Sequence, residues 1–199
     1  MSELAAEQAY VLVQNALLGT IKSESRTTKS VLAAVPNSNL DYRPDSCAKT
    51  AIELVRHIAV SENRFLECVS TGTYDTTSPA LPENITTPAD IAAWYEQSFA
   101  RNFDAVSKLS GEQLIKMVDF RGMFQRPAYF FLQLCLLHSV HHRGQLSTYL
   151  RPMTSTGLKP AGSVCRWISV RIRRPEAASR TTVKATSPEI GRASCRERV

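Results

Sequence analysis

The sequence predicts an all-α protein, an antiparallel four-helix bundle. Four long stretches repeat apolar residues at the helical period, and side-chain caps open several of them. Strand signals and phosphate-binding glycine loops are absent, as are internal repeats.

The first stretch runs from about Leu4 to Val35, with Val11, Leu17, Leu18, Ile21, Val31, Leu32 and Val35 on an imperfect 3.6-residue period. Its polar middle, Ser23 to Ser30, is expected to bend or fray. The Pro, Asn and Asp residues of Pro36 to Ser46 then end it, because they favour turns and the residue before a proline avoids helix. Thr50-Ala-Ile-Glu53 is a capping box, in which hydroxyl and carboxylate each satisfy an amide of the first turn. It opens a second helix to about Ser70, with Ile52, Val55, Ile58, Ala59 and Leu66 as its apolar contacts. A long loop follows from Gly72 to Thr86. Thr87-Pro-Ala-Asp90 opens a third helix to about Leu109, with proline in the first turn, where its missing amide proton costs nothing. Its core face is Ile91, Trp94, Tyr95, Phe99, Phe103 and Val106. Ser110 caps a short turn to Met117, Val118 to Arg126 reads as a connector, and Pro127 is expected to begin the fourth long helix.

That fourth helix carries the chemistry. It holds His138-Ser-Val-His-His-Arg-Gly-Gln145, with three of the chain's four histidines. Four residues apart, His138 and His142 stand on one face, and His141 points about 100° away from His142. Phe131, Cys135, His138, His142, Gln145 and Tyr149 form one inward stripe, which directs both imidazoles into the bundle. A lone histidine there is most often satisfied by a neighbouring helix. Two on one stripe favour a shared cation. Facing helices can supply a third nitrogen from His57, completing a buried three-histidine metal site with an open coordination position, the mark of catalytic zinc-type centres. His57 alone is unremarkable, and Cys135 reads as an apolar filler. Glu53, one turn before His57, is a candidate to orient its ring or accept a proton, although the capping box explains it equally well. Gln145 and Tyr149 are candidates to support His142, or plain packing residues with satisfied polar tips.

A net charge of +6 and a pI near 9.2 would suggest a nucleic-acid surface. Residues 165–199, however, carry eight Arg and one Lys against three Glu, an excess of six that is the whole net charge. The rest is neutral, so no nucleic-acid partner is expected. The ending Glu189-Ile-Gly-Arg-Ala-Ser-Cys-Arg-Glu-Arg-Val199 resembles a translated sequencing-adapter oligonucleotide, and 154–188 reads as a frameshifted or disordered basic tail. The longest apolar stretch falls short of the about 20 residues a membrane span needs. With no signal-like N-terminus and no paired cysteine motif, a cytoplasmic protein without disulfides is expected.

Five segments now carry a resemblance. Leu40-Asp-Tyr-Arg-Pro44, Glu53-Leu-Val-Arg-His-Ile58, Val118-Asp-Phe-Arg-Gly-Met123, His138-Ser-Val-His-His-Arg-Gly-Gln-Leu146 and Leu150-Arg-Pro-Met153 resemble the DinB-like (damage-inducible, YfiT-like) family of metal-binding four-helix bundles. The resemblance covers residues 1–153. It implies one divalent ion, usually nickel or zinc, held by His57, His138 and His142, with His141 outside the ligand set. It also implies a homodimer, a link to stress response, and for some members a small-molecule substrate and a low-molecular-weight thiol. Two functions are then expected to compete. One is a metal-dependent transferase or hydrolase in which the ion activates a thiol or water, with catalytic residues beyond the ligands unassigned. The other is a non-catalytic metal-binding stress or interaction protein, disfavoured by the lack of a fourth protein ligand.

Overall fold

The computed structural model describes residues 4–154, so the expectations for the basic tail lie outside the described residues. Helix α1 (Ala6–Leu12) passes through a π-helical turn, Val13–Leu17, into α2 (Leu18–Ala33) as one unbroken rod. The polar middle of α2 does not fray. Ser25 and Thr28 are buried in the bundle, their hydroxyls donating back to the Lys22 and Glu24 carbonyls, which satisfies them within the helix. Val11 was expected in the core and is instead exposed.

The capping box at Thr50 forms as expected and opens α3 (Ala51–Thr71), which Gly72 ends in the left-handed region at φ 74°. Thr87 caps α4 (Pro88–Ser107), and Ser110 caps the short α5 (Gly111–Leu114). Gly111 is needed for a close approach: a Cβ there would lie 2.2 Å from the Ala6 carbonyl oxygen. The last long helix is α6 (Ala128–Thr154).

Side-chain pairs give the directions. Along α3 and α6, His57 meets His138 and His142 while Glu62, further on, meets Cys135 and Ser139, so these two helices are antiparallel. Lys29 with Glu96, and Lys22 over Phe103, set α2 antiparallel to α4. The antiparallel arrangement does not extend to α3 and α4, which run the same way, Glu62 bonding Tyr95 and Asn63 bonding Asn102. The long loop makes this possible by returning along α3, held where Arg64 donates to the Ser78 carbonyl and Arg56 to the Ile85 carbonyl. The shared core includes Ile21, Leu54, Ile58, Ile91, Phe131 and Leu146, each fully buried and each contributing roughly 2 kcal/mol of apolar transfer energy.

The expected connector contains a hairpin. Strands β1 (Met117–Phe120) and β2 (Phe124–Pro127) pair antiparallel with Val118 opposite Arg126 and Phe120 opposite Phe124. Arg121 and Gly122 both have positive φ, 57° and 72°, and the Met123 amide donates to the Phe120 carbonyl, the geometry of a type I′ turn. The Asp119 carboxylate accepts from the Gly122 amide and steadies it. Pro127 therefore closes β2, and α6 begins one residue later. Among the described residues no helix is long and apolar enough to cross a membrane.

Candidate metal centre

His57 comes from α3, two turns after its cap, and His138 and His142 from α6. Their Nε2 atoms converge: His57 Nε2 lies 3.1 Å from His142 Nε2 and 3.1 Å from His138 Nε2. One ligand atom from each of the three lies within 4.8 Å of the others. Two nitrogens on one tetrahedral zinc-type ion would be about 3.3 Å apart, given metal–nitrogen bonds of about 2.0–2.1 Å.

Hydrogen bonding alone satisfies this arrangement poorly. An imidazole nitrogen either donates one proton or offers one lone pair, yet His57 Nε2 is in contact with two other ring nitrogens at once. At least one contact is unfavourable without a cation. A divalent ion accepts all three lone pairs, so the donor set fits one.

Electrostatics favour the same state. Burial, reinforced by His142, Lys49 and Arg64, lowers the His57 pKa to about 4. Burial and the neighbouring histidines take His138 to about 3. His142 is also lowered by burial, against a raising hydrogen bond from Gln145. All three rings are neutral at pH 7, the protonation state that metal binding requires. The rings are half-buried and not fully buried as the heptad stripe suggested.

Partners of the outer nitrogens differ. His142 Nδ1 lies 3.0 Å from the Gln145 side-chain carbonyl, which accepts its proton and leaves Nε2 with the lone pair. Gln145 donates to the Tyr149 hydroxyl at 3.4 Å, and that hydroxyl donates to the Lys49 carbonyl at 3.2 Å. Both sequence candidates therefore stand behind His142 in one chain. Ser61 Oγ is 3.4 Å from His57 Nδ1, and His138 Nδ1 is buried without a hydrogen-bond partner. Glu53 stays at the cap, accepting from the Thr50 amide and hydroxyl, and its pKa is lowered by those bonds. His141 is exposed, its ring 4.8 Å from that of His142 and outside the converging trio.

Sequence reading missed Glu62. It is buried, accepting from the Tyr95 hydroxyl at 2.7 Å and the Ser139 hydroxyl at 2.8 Å, and burial raises its pKa. Its signal was present, for Val55, Ile58, Glu62, Phe65 and Val69 alternate three- and four-residue steps, which puts a carboxylate in an apolar slot. Cys135 is the buried filler expected of it, its thiol pKa raised by burial.

A helical bundle whose helices converge three neutral imidazoles on one point defines a histidine-cluster bundle protein. The chain belongs to the DinB superfamily, whose sequence pattern matches residues 21–146. It is 26% identical over 146 residues to YjoA of Bacillus subtilis (strain 168), itself described as uncharacterised, a match spanning 72% of this chain and 93% of that protein. The crystal structure of that DinB-like protein aligns with a TM-score of 0.60 at 24% identity, covering 72% of this chain and 95% of the other. A DinB-like protein from Bacillus cereus ATCC 10987 gives 0.58 at 23% identity, covering 74% and 95%. These likenesses establish the fold.

Proposed function

We propose that His57, His138 and His142 bind one divalent ion, nickel or zinc, and that the chain is a metal-dependent enzyme of the transferase or hydrolase type. The convergence of three Nε2 atoms carries this reading, supported by their neutral rings and by the Gln145 carbonyl behind His142. Among the described residues no carboxylate or thiol joins the cluster as a fourth ligand. That favours an open position over a closed structural clamp.

When bound, such an ion lowers the pKa of a thiol or water and supplies the nucleophile at neutral pH. Of the chain's own residues, Gln145 holds the His142 ring in the tautomer that offers Nε2. A low-molecular-weight thiol and an electrophilic acceptor are the substrates to screen, with a homodimer in the cytoplasm as the working form. Untagged protein purified anaerobically should carry one nickel or zinc per chain by elemental analysis, and thiol consumption should follow metal content. Stoichiometric metal without turnover across thiols and hydrolysable esters would favour a non-catalytic metal-binding role.

A further inference from the structure

Helix α6 is anchored on a second stripe, one residue after each of its two ligand histidines. Ser139 follows His138 and donates to Glu62 Oε2 at 2.8 Å, and Arg143 follows His142 and reaches the Glu24 carbonyl at 3.0 Å, the Thr28 hydroxyl at 3.2 Å and the Glu24 carboxylate. Residues four apart lie one above the other, so Ser139 and Arg143 share a face about 100° round from the histidines. Fixing that face fixes the rotation of α6, and with it the direction in which His138 and His142 point.

Glu62 is the inner of the two anchors. It lies on α3 five residues after His57, so the helix that supplies the third histidine also supplies the acceptor for Ser139. A buried carboxylate is costly unless hydrogen-bonded, and Glu62 accepts from Tyr95 of α4 on Oε1 and from Ser139 of α6 on Oε2, with Thr28 of α2 also bearing on it. Cys135 adds a contact, its thiol 3.6 Å from the Glu62 carbonyl oxygen. An apolar residue in that slot would fill space without specifying a rotation.

We propose that Glu62 is a positioning residue of the three-histidine site, holding α6 in register with α3 through Ser139 so that the three Nε2 atoms converge. It is not a member of the histidine cluster. The inference rests on the metal-binding reading above and adds a residue pair that reading does not need.

Two substitutions separate positioning from general stability. S139A and Y95F each strip one hydrogen bond from the same buried carboxylate, but only S139A unties α6. The full chain and both variants are compared by competition for zinc against a chromophoric chelator, by the visible absorption of the cobalt(II) form, and by thermal melting of the metal-free protein. S139A should weaken zinc roughly 10-fold or more, in the range of changes to groups that orient metal ligands, and alter the cobalt spectrum. Y95F should keep zinc affinity within about two-fold while lowering the melting temperature as much as S139A or more. E62Q, which retains a hydrogen-bonding partner for Ser139, should lie closer to the parent than S139A. Equal zinc losses in S139A and Y95F, or an S139A affinity and cobalt spectrum like the parent's, overturn the positioning role and leave the metal reading intact. A parent that binds neither metal overturns both.

Discussion

Removing the group behind His142 should cost metal affinity in proportion to what its hydrogen bond does. The Gln145 carbonyl accepts from His142 Nδ1 at 3.0 Å, a well-formed bond, whereas the next link, Gln145 to the Tyr149 hydroxyl, is 3.4 Å long and weak. Gln145→Leu keeps the bulk and removes the acceptor, freeing the ring to rotate and to place its proton on either nitrogen. The Gln145 bond also raises the His142 pKa against the effect of burial, so its loss makes Nε2 a poorer base and a poorer ligand. Outer partners of this kind are worth about 10- to 100-fold in metal affinity, which is roughly 1.4–2.7 kcal/mol. Tyr149→Phe, one link further out, should cost about two- to three-fold. Gln145→Glu should bind at least as tightly as the parent, because a carboxylate is the stronger acceptor for Nδ1–H. Zinc competition titrations at pH 7.5 on the four proteins give the order directly. A Gln145→Leu protein within two-fold of the parent, or a Tyr149→Phe protein that loses as much, would refute the idea that this chain of bonds sets the tautomer of His142.

Acid should destabilise the metal-free protein in a window set by the histidines. His57 and His138 have folded pKa values of about 4 and about 3, below the ordinary 6.5, so the unfolded chain binds more protons once the pH drops below 6.5. Their contribution is full above pH 6.5 and is lost as the pH falls towards 3. With the rings half exposed, solvent screening leaves on the order of 2 kcal/mol for the pair, read in urea titrations at pH 7 and pH 4.5 as the difference between the parent and a doubly substituted His57→Gln, His138→Gln protein. Gly111→Ala forces a methyl against the Ala6 carbonyl and should cost about 1–3 kcal/mol by the same titrations; an unchanged stability would mean that α1 and α5 separate freely. On its charge and adapter-like ending, the stretch after Leu158 is proposed to be dispensable. A chain ending there should melt at the temperature of the full protein, and a lower one contradicts this.

Helix starts were legible because caps are local chemistry: Thr50, Thr87 and Ser110 each need only the residue three positions on. The pairing of His138 with His142 was legible for the same reason, as a spacing on one helix. What depends on distant chain was not. The direction of α4 is fixed by where the loop after Gly72 travels, through Arg56 and Arg64 gripping backbone carbonyls that carry no sequence signature. The hairpin was hidden because each strand has four residues and its turn places Arg121, a residue with a side chain, at positive φ. A heptad stripe gives the face a histidine occupies and not its depth, so half-burial, with exposed Lys49 bearing on His57 and His142, could not be read. Glu62 could have been found as the one carboxylate in the apolar slots of α3.

The most direct test of the metal centre is elemental analysis of four single alanine variants, at His57, His138, His141 and His142, purified without a histidine tag. Removing one of three ligands should weaken binding well beyond the about 10- to 100-fold of an outer partner, so the His57, His138 and His142 variants should emerge without metal. His141→Ala should retain one ion per chain. A metal-free His141→Ala protein beside a fully loaded His142→Ala protein would contradict the site, and would move it to the pair His138 and His141.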